Sequence, residues 1–247
     1  MELLGIDIGG SGIKGAPVDV DRGVLTAEHF KLLTPQPSVP EAVGDVVAQV
    51  TRHFAWRGPI GCTFPAVIQR GVAYSAANVD KSWIGFNGEE LFRKKTGCPV
   101  LLLNDADAAG IAEMEFGAGR GHTGVVILIT FGTGIGSAVF FNRQLLPNTE
   151  LGHIEVRGKD AEKRASSHAK ERAHLSYRKW AGRVDEYLGC LERLFTPDLF
   201  ILGGGISQDY EKFFKFLKTR AQVVPAQFFN EAGIVGAAMA ARTLLKG

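Results

Sequence analysis

The feature that most constrains this chain is a glycine-turned hairpin that occurs twice. Residues 124–141 place the apolar runs Val125–Ile129 and Ala138–Phe141 on either side of a turn carrying Gly132, Gly134 and Gly136. Short runs rich in β-branched and aromatic residues read as strands. The glycines between them permit positive φ and let a ligand approach the backbone closely. Residues 3–18 repeat the pattern: with one gap, Gly9, Gly12, Ile13 and Ala16 fall on Gly132, Gly134, Ile135 and Ala138. A repeat of this kind predicts two related halves facing each other across a cleft. The copies differ where chemistry needs it, with Asp7 aligned to Thr130 and Lys14 to Gly136.

A third cluster, Gly203-Gly204-Gly205-Ile206-Ser207, follows another apolar strand at 199–202. Successive backbone N–H groups in such turns form anion-binding nests. Three of them, each just after a strand, point to phosphoryl transfer between two α/β domains. None has the spacing of a P-loop.

Periodicity fills in the rest. A strand is expected over 24–33, and a helix capped by Ser38 carries Val43, Val46, Val47, Val50 and Phe54 on one stripe. Asn87 and Glu90 form a capping box for a helix that stops at Gly97. After strand 100–103, residues 106–116 read as a helix with Asp105 at the position of an N-cap. The second half offers a helical region from about 159 to 195, a helix near 208–220 and another over 232–245.

Composition excludes several classes. The net charge of +2 gives no reason to expect a nucleic-acid partner. No apolar run approaches the ~20 residues of a membrane helix, and Met1-Glu2 runs straight into the first strand, so a cytoplasmic location is expected. The three cysteines, Cys62, Cys98 and Cys190, are widely spaced and suit a reducing compartment. Residues 157–183 hold nine basic against three acidic side chains, either a solvated helix surface or a track for a polyanion.

Four motifs carry a resemblance: Asp-x-Gly-Gly-Ser at 7–11, Asn-Asp-Ala-Asp-Ala-Ala at 104–109, Thr-x-Gly-Thr-Gly-x-Gly at 130–136 and Glu-Leu-Gly-His at 150–153. Together they resemble the ROK family of sugar kinases, within the actin/hexokinase/Hsp70 phosphotransferases. Stretches 10–19, 77–83 and 149–162 are similar to the polyphosphate-using glucokinases of that family. The resemblance implies two actin-like, ribonuclease H-like α/β domains around a hinged cleft: 1–108 rejoined by 232–247, and 109–231. It implies transfer of a phosphoryl group from inorganic polyphosphate, and as a further donor ATP, to the 6-hydroxyl of glucose. The alternative is an ATP-dependent hexokinase for glucose, mannose or an N-acetylhexosamine. A sugar-sensing repressor is not expected, since Leu3 already begins the first strand.

The same resemblance implies the site. Asp105 is the general base, and Asn78, Asn104, Asp105, Glu150, His153 and Glu162 hold the sugar. Gly9, Gly10, Ser11, Lys14, Thr133, Gly134, Gly204 and Gly205 contact phosphates. Asp7 places Mg²⁺ through water. Most ROK proteins bind zinc through three cysteines after the Gly-His pair. Here Val156–Ala161 stands in that place, His153 is left alone, and no zinc is expected. The partners implied are a hexose, polyphosphate and a second copy of the chain, with no nucleic acid and no membrane.

Overall fold

The computed structural model describes residues 1–76 and 79–245. The chain divides into two compact units, Met1–Ala112 with Glu231–Gly247, and Glu113–Asn230.

Unit 1 is built on β1 (Glu2–Ile8), β2 (Gly12–Asp19), β3 (Val24–Leu25), β4 (Phe30–Leu33), β5 (Ile60–Phe64), the small hairpin β6 (Ile68–Gln69) and β7 (Val72–Ala73), and β8 (Val100–Asn104). Its main sheet runs β3-β2-β1-β5-β8, with β4 also on β2. β1, β5 and β8 are parallel, and β2 returns antiparallel to β1. The helices are α1 (Pro40–His53), α2 (Gly88–Thr96), α3 (Asp105–Glu115), whose last three residues belong to unit 2, and the C-terminal helix Ala232–Ala240.

Strand alternation decides which helix lies on which face. Leu4, Ile6 and Ile8 of β1 join Ile60, Cys62 and Phe64 of β5 in a core with Val43, Val47 and Val50 of α1 and Leu91 and Phe92 of α2. Trp83 sits in this core, its ring near Phe64 and Phe92, and donates its indole N–H to Ser38 O at 2.8 Å. The opposite side of β1 offers Gly5 and Asp7. Gly5 is in register with Gly61, and a Cβ on either would strike the C-terminal helix backbone, at Ile234 O and Ala237 O. These paired glycines let a helix lie directly on the sheet.

Unit 2 repeats the plan. Its strands are β9 (Val125–Phe131), β10 (Ile135–Phe141), β11 (Gln144–Leu146), the hairpin β12 (Glu155–Val156) and β13 (Lys159–Asp160), β14 (Leu199–Gly203) and β15 (Gln222–Pro225). The sheet runs β11-β10-β9-β14-β15, with β9 parallel to β14. Its helices are α4 (Glu162–Ala165), α5 (Ser167–Arg172) and α6 (Tyr177–Phe195), and α6 buries Trp180, Val184, Tyr187, Leu188 and Leu191. Trp180 meets Phe131 and Phe213 edge-on. The two repeats align strand for strand: Asp7 pairs with Lys14 across β1–β2, and Thr130 with Gly136 across β9–β10.

Several expectations are corrected. The strand expected over 24–33 is two short pieces. Ser38 does not cap α1, whose N-cap is Val39 with Pro40 in the first turn. Ser38 Oγ instead accepts from Asp80 N at 3.1 Å. The helical region from 159 to 195 is broken into α4, α5 and α6, because Ser166 and Ser176 each start a new helix by capping it. Residues 205–216 wind as 3₁₀ turns rather than an α-helix. The Asn87 cap and the Gly97 stop, at φ +69°, are as read from sequence.

Candidate active site

In unit 1 the first glycine turn follows β1. Gly9 N donates to Gly12 O at 3.0 Å, and Thr34 Oγ1 donates to Gly9 O at 2.5 Å. Gly10 and Ser11 are exposed at its tip. Asp7, just before the turn, is fixed from three directions. Thr63 of β5 donates to Asp7 Oδ1 at 2.7 Å, Lys14 Nζ lies 3.3 Å from Oδ2, and the first turn of the C-terminal helix covers the carboxylate. A Cβ on Gly233 would come within 2.7 Å of Asp7 Cγ. The glycine thus brings the positive end of a helix up to the acid. Sequence reading missed Thr63, whose adjacency to Asp7 arises only from the β1–β5 register.

Asn104 ends β8 and Asp105 begins α3. The N-cap of α3 is Asn104, not Asp105: its Oδ1 accepts from Ala106 N at 2.8 Å and Asp107 N at 3.1 Å. Its amide donates to Ala66 O at 3.1 Å. Asn104 is buried, so the fold uses both ends of the side chain. Asp105 is exposed on the first turn, where Oδ1 accepts from Ala106 N at 2.8 Å. With its neighbour taking the capping role, Asp105 is an exposed residue at the positive end of a helix. Asn78 lies outside the described residues.

In unit 2 the second turn is pinned from below. Gly132 N donates to Gly134 O at 3.0 Å, while Gly132 O accepts from Ser167 Oγ at 2.8 Å and His168 N at 3.1 Å. Thr133 is exposed at the tip. Gly204, at φ +85°, has no room for a Cβ against the carbonyl of Phe131, which sets the third glycine turn beside the second. Ser207 closes that turn, donating to Gly204 O at 2.7 Å.

The loop bearing Glu150 and His153 is laced to β10. Ser137 Oγ donates to Thr149 O and accepts from Leu151 N at 3.0 Å, and Thr149 Oγ1 donates to Ser137 O at 3.1 Å. Gly152 lies against Ile135 O with no space for a side chain. The result is a one-turn 3₁₀ helix over Leu151–His153 that presents Glu150 and His153 together, His153 Nε2 lying 3.8 Å from Glu150 Oε2. Glu162 joins them from α4, its carboxylate 2.5 Å from where a Cβ on Gly134 would be. Desolvation raises the Glu150 carboxyl above its ordinary range; His153 opposes the shift and Glu162 adds to it.

Asp160, which sequence reading counted only as a charge, completes this cluster. One donor atom each from His153, Asp160 and Glu162 lies within 4.8 Å of the others. The view of His153 as standing alone therefore overlooks two carboxylates. An ammonium already sits there: Lys163 Nζ is 3.1 Å from Asp160 Oδ2.

Two α/β units, each built on a glycine-turned hairpin with a parallel strand beside it, define the class as the actin-like fold of the sugar kinases. The chain belongs to the ROK family, whose family model matches residues 3–167. The polyphosphate glucokinase of Mycobacterium tuberculosis is 55% identical over 238 residues, which span 96% of this chain and 90% of that one. The crystal structure of the inorganic polyphosphate/ATP-glucomannokinase from Arthrobacter sp. strain KM superimposes with a TM-score of 0.94 at 48% identity, covering 98% of this chain and 99% of that one. A ROK glucokinase from Streptomyces griseus, solved with glucose and AMPPNP, gives a TM-score of 0.84 at 27% identity, covering 98% and 100%.

Proposed function

We infer that this chain is a glucokinase that transfers a phosphoryl group from inorganic polyphosphate to glucose, with ATP as an alternative donor. The observation that carries the reading is identity above half to a polyphosphate glucokinase along nearly the whole chain. The near-complete superposition on a polyphosphate/ATP-glucomannokinase supports it.

The residue roles follow from chemistry. Phosphoryl transfer is mostly positioning and charge neutralisation, with a base for the attacking hydroxyl. Asp105 takes that role at the glucose 6-hydroxyl, being exposed and not the group that caps α3. Glu150, His153 and Glu162 bind the other hydroxyls, joined by Asn104 through its remaining amide N–H and by Asn78. The turns at Gly9–Ser11, Thr133–Gly134 and Gly204–Gly205 offer backbone N–H groups to the donor phosphates, with Lys14 as counter-charge.

Asp7 fits Mg²⁺ held through water. Thr63 and Lys14 fix the carboxylate, and Mg²⁺ characteristically keeps several waters against one or two acids. When bound, the ion neutralises phosphate charge. A homodimer and a cytoplasmic location belong to the same reading. Among the described residues no helix is long and apolar enough to cross a membrane.

The test is initial-rate formation of glucose 6-phosphate with polyphosphate, ATP or no donor, using glucose and mannose as acceptors. Rapid turnover with polyphosphate is expected. Turnover with ATP alone would replace this reading with an ordinary ATP-dependent hexokinase.

A further inference from the structure

We propose that Asp160 is a positioning residue for the acceptor sugar: with sugar bound it accepts the Nδ1–H of His153, fixing the tautomer whose Nε2 faces the ligand. The proposal rests on the reading of His153 as a sugar contact.

The geometry is asymmetric about the imidazole. Nδ1 faces Asp160 Oδ2 at 3.6 Å and Nε2 faces Glu150 Oε2 at 3.8 Å. Both exceed hydrogen-bond length, as such contacts often do before a ligand tightens them. A neutral imidazole has one donor and one acceptor nitrogen, and the partner of one decides the state of the other. Glu150 and Asp160 would compete for the same proton unless one were held in place.

Asp160 is the one held. It pairs with Glu155 across β12–β13, a hairpin turned by Arg157 at φ +52° and Gly158 at φ +73°. Two successive positive φ values are those of the tight turn that matches strand twist. Ala161 N donates to Ile154 O at 2.9 Å, closing the hairpin directly beside His153. Arg157 and Arg164 both grip Glu186 of α6, at 2.5 and 2.9 Å, which ties the hairpin to the core helix. Lys163 holds the Asp160 carboxyl below the usual carboxylate range, and His153 adds to this in smaller measure. Asp160 therefore stays an ionised acceptor to lower pH than Glu150, whose carboxyl desolvation raises.

The decisive measurement is the ¹⁵N long-range spectrum of the His153 imidazole in the glucose-bound protein, with glucose KM and kcat for Asp160→Ala, Asp160→Asn and Asp160→Glu. The Nδ1–H tautomer is expected in the wild-type complex. Asp160→Ala should lose it and raise glucose KM roughly tenfold or more, the effect of a lost hydrogen bond to a charged group, with little change in donor KM. Asp160→Asn keeps an acceptor oxygen and should recover most of both. An Nε2–H tautomer in glucose-bound wild type would overturn the proposal without any variant. So would a folded Asp160→Ala with glucose KM within twofold of wild type while His153→Ala is defective. An unaltered glucose KM in His153→Ala would remove the sugar-contact reading and this proposal together.

Discussion

At the scale of single residues, the pair Asn104-Asp105 shows how a bland role and a chemical one are divided between neighbours. Sequence position made Asp105 the natural helix cap, yet Asn104 does the capping. Asp105→Asn should therefore keep the fold and lower kcat by roughly 10²–10⁴, the usual contribution of a general base. Activity within threefold of wild type in a folded variant would refute the assignment. Glu150 yields a second prediction. Its raised carboxyl must be ionised to accept from sugar hydroxyls, so affinity for glucose should fall on acidification above the ordinary glutamate range. Glu162 contributes to that shift by like-charge repulsion. Glu162→Gln should then move the acid limb of kcat/KM to lower pH, whatever it does to the plateau. A limb that stays in place, or moves up, would contradict the coupling.

At the scale of elements, glycines sort by what lies over them. Gly61 is covered by the backbone of the C-terminal helix, which cannot swing aside as a side chain could. Gly61→Ala should cost about 1–3 kcal/mol, as overpacking does, lowering Tm by roughly 2–4 °C for each kcal/mol in a chain of this length. Gly182 is the contrast. It is exposed within α6 and nothing lies within 4 Å of a Cβ, so Gly182→Ala should stabilise by about 0.8–1.0 kcal/mol through helix propensity. Thermal melts of the two variants should move in opposite directions.

At the scale of the whole molecule, charge is the long-range variable. The basic excess over 157–183 is smaller in effect than its count, since Arg157 and Arg164 share Glu186 and Lys163 sits on Asp160. Among the described residues, Lys159, Lys170, Arg172 and Lys179 form no ion pair and remain to attract an extended anion. Lys170 does lie over the Tyr177 ring at 4.2 Å. Neutralising Lys170, Arg172 and Lys179 together should raise KM for long polyphosphate and leave KM for ATP nearly unchanged. Salt should have the same selective effect, because screening weakens many weak contacts at once. Equal effects on both donors would mean that this stretch is only a solvated surface.

Local patterns were legible wherever the physics is local. The two hairpins, the Asn87 cap, the Gly97 stop and the strands read at 100–103 and 199–202, observed as Val100–Asn104 and Leu199–Gly203, all follow from period, propensity and turn chemistry within a few residues. The repeat fixed which hairpin positions correspond, and the motifs carried the family. Contacts between distant segments were not legible. Thr63 reaches Asp7 only because β5 lies beside β1. Glu113, fully buried, accepts from Ala118, Gln227 and Phe228 N at 2.7–2.8 Å, a pin spanning over a hundred residues that nothing near Glu113 announces. Asp160 arrives at His153 because a two-residue turn and the Arg157–Glu186 pair fold the hairpin back. Sequence alone determined which backbone shapes and chemical groups are present. Only the tertiary structure decided which of them meet, because strand register and helix seating are set by cores that the whole chain must assemble.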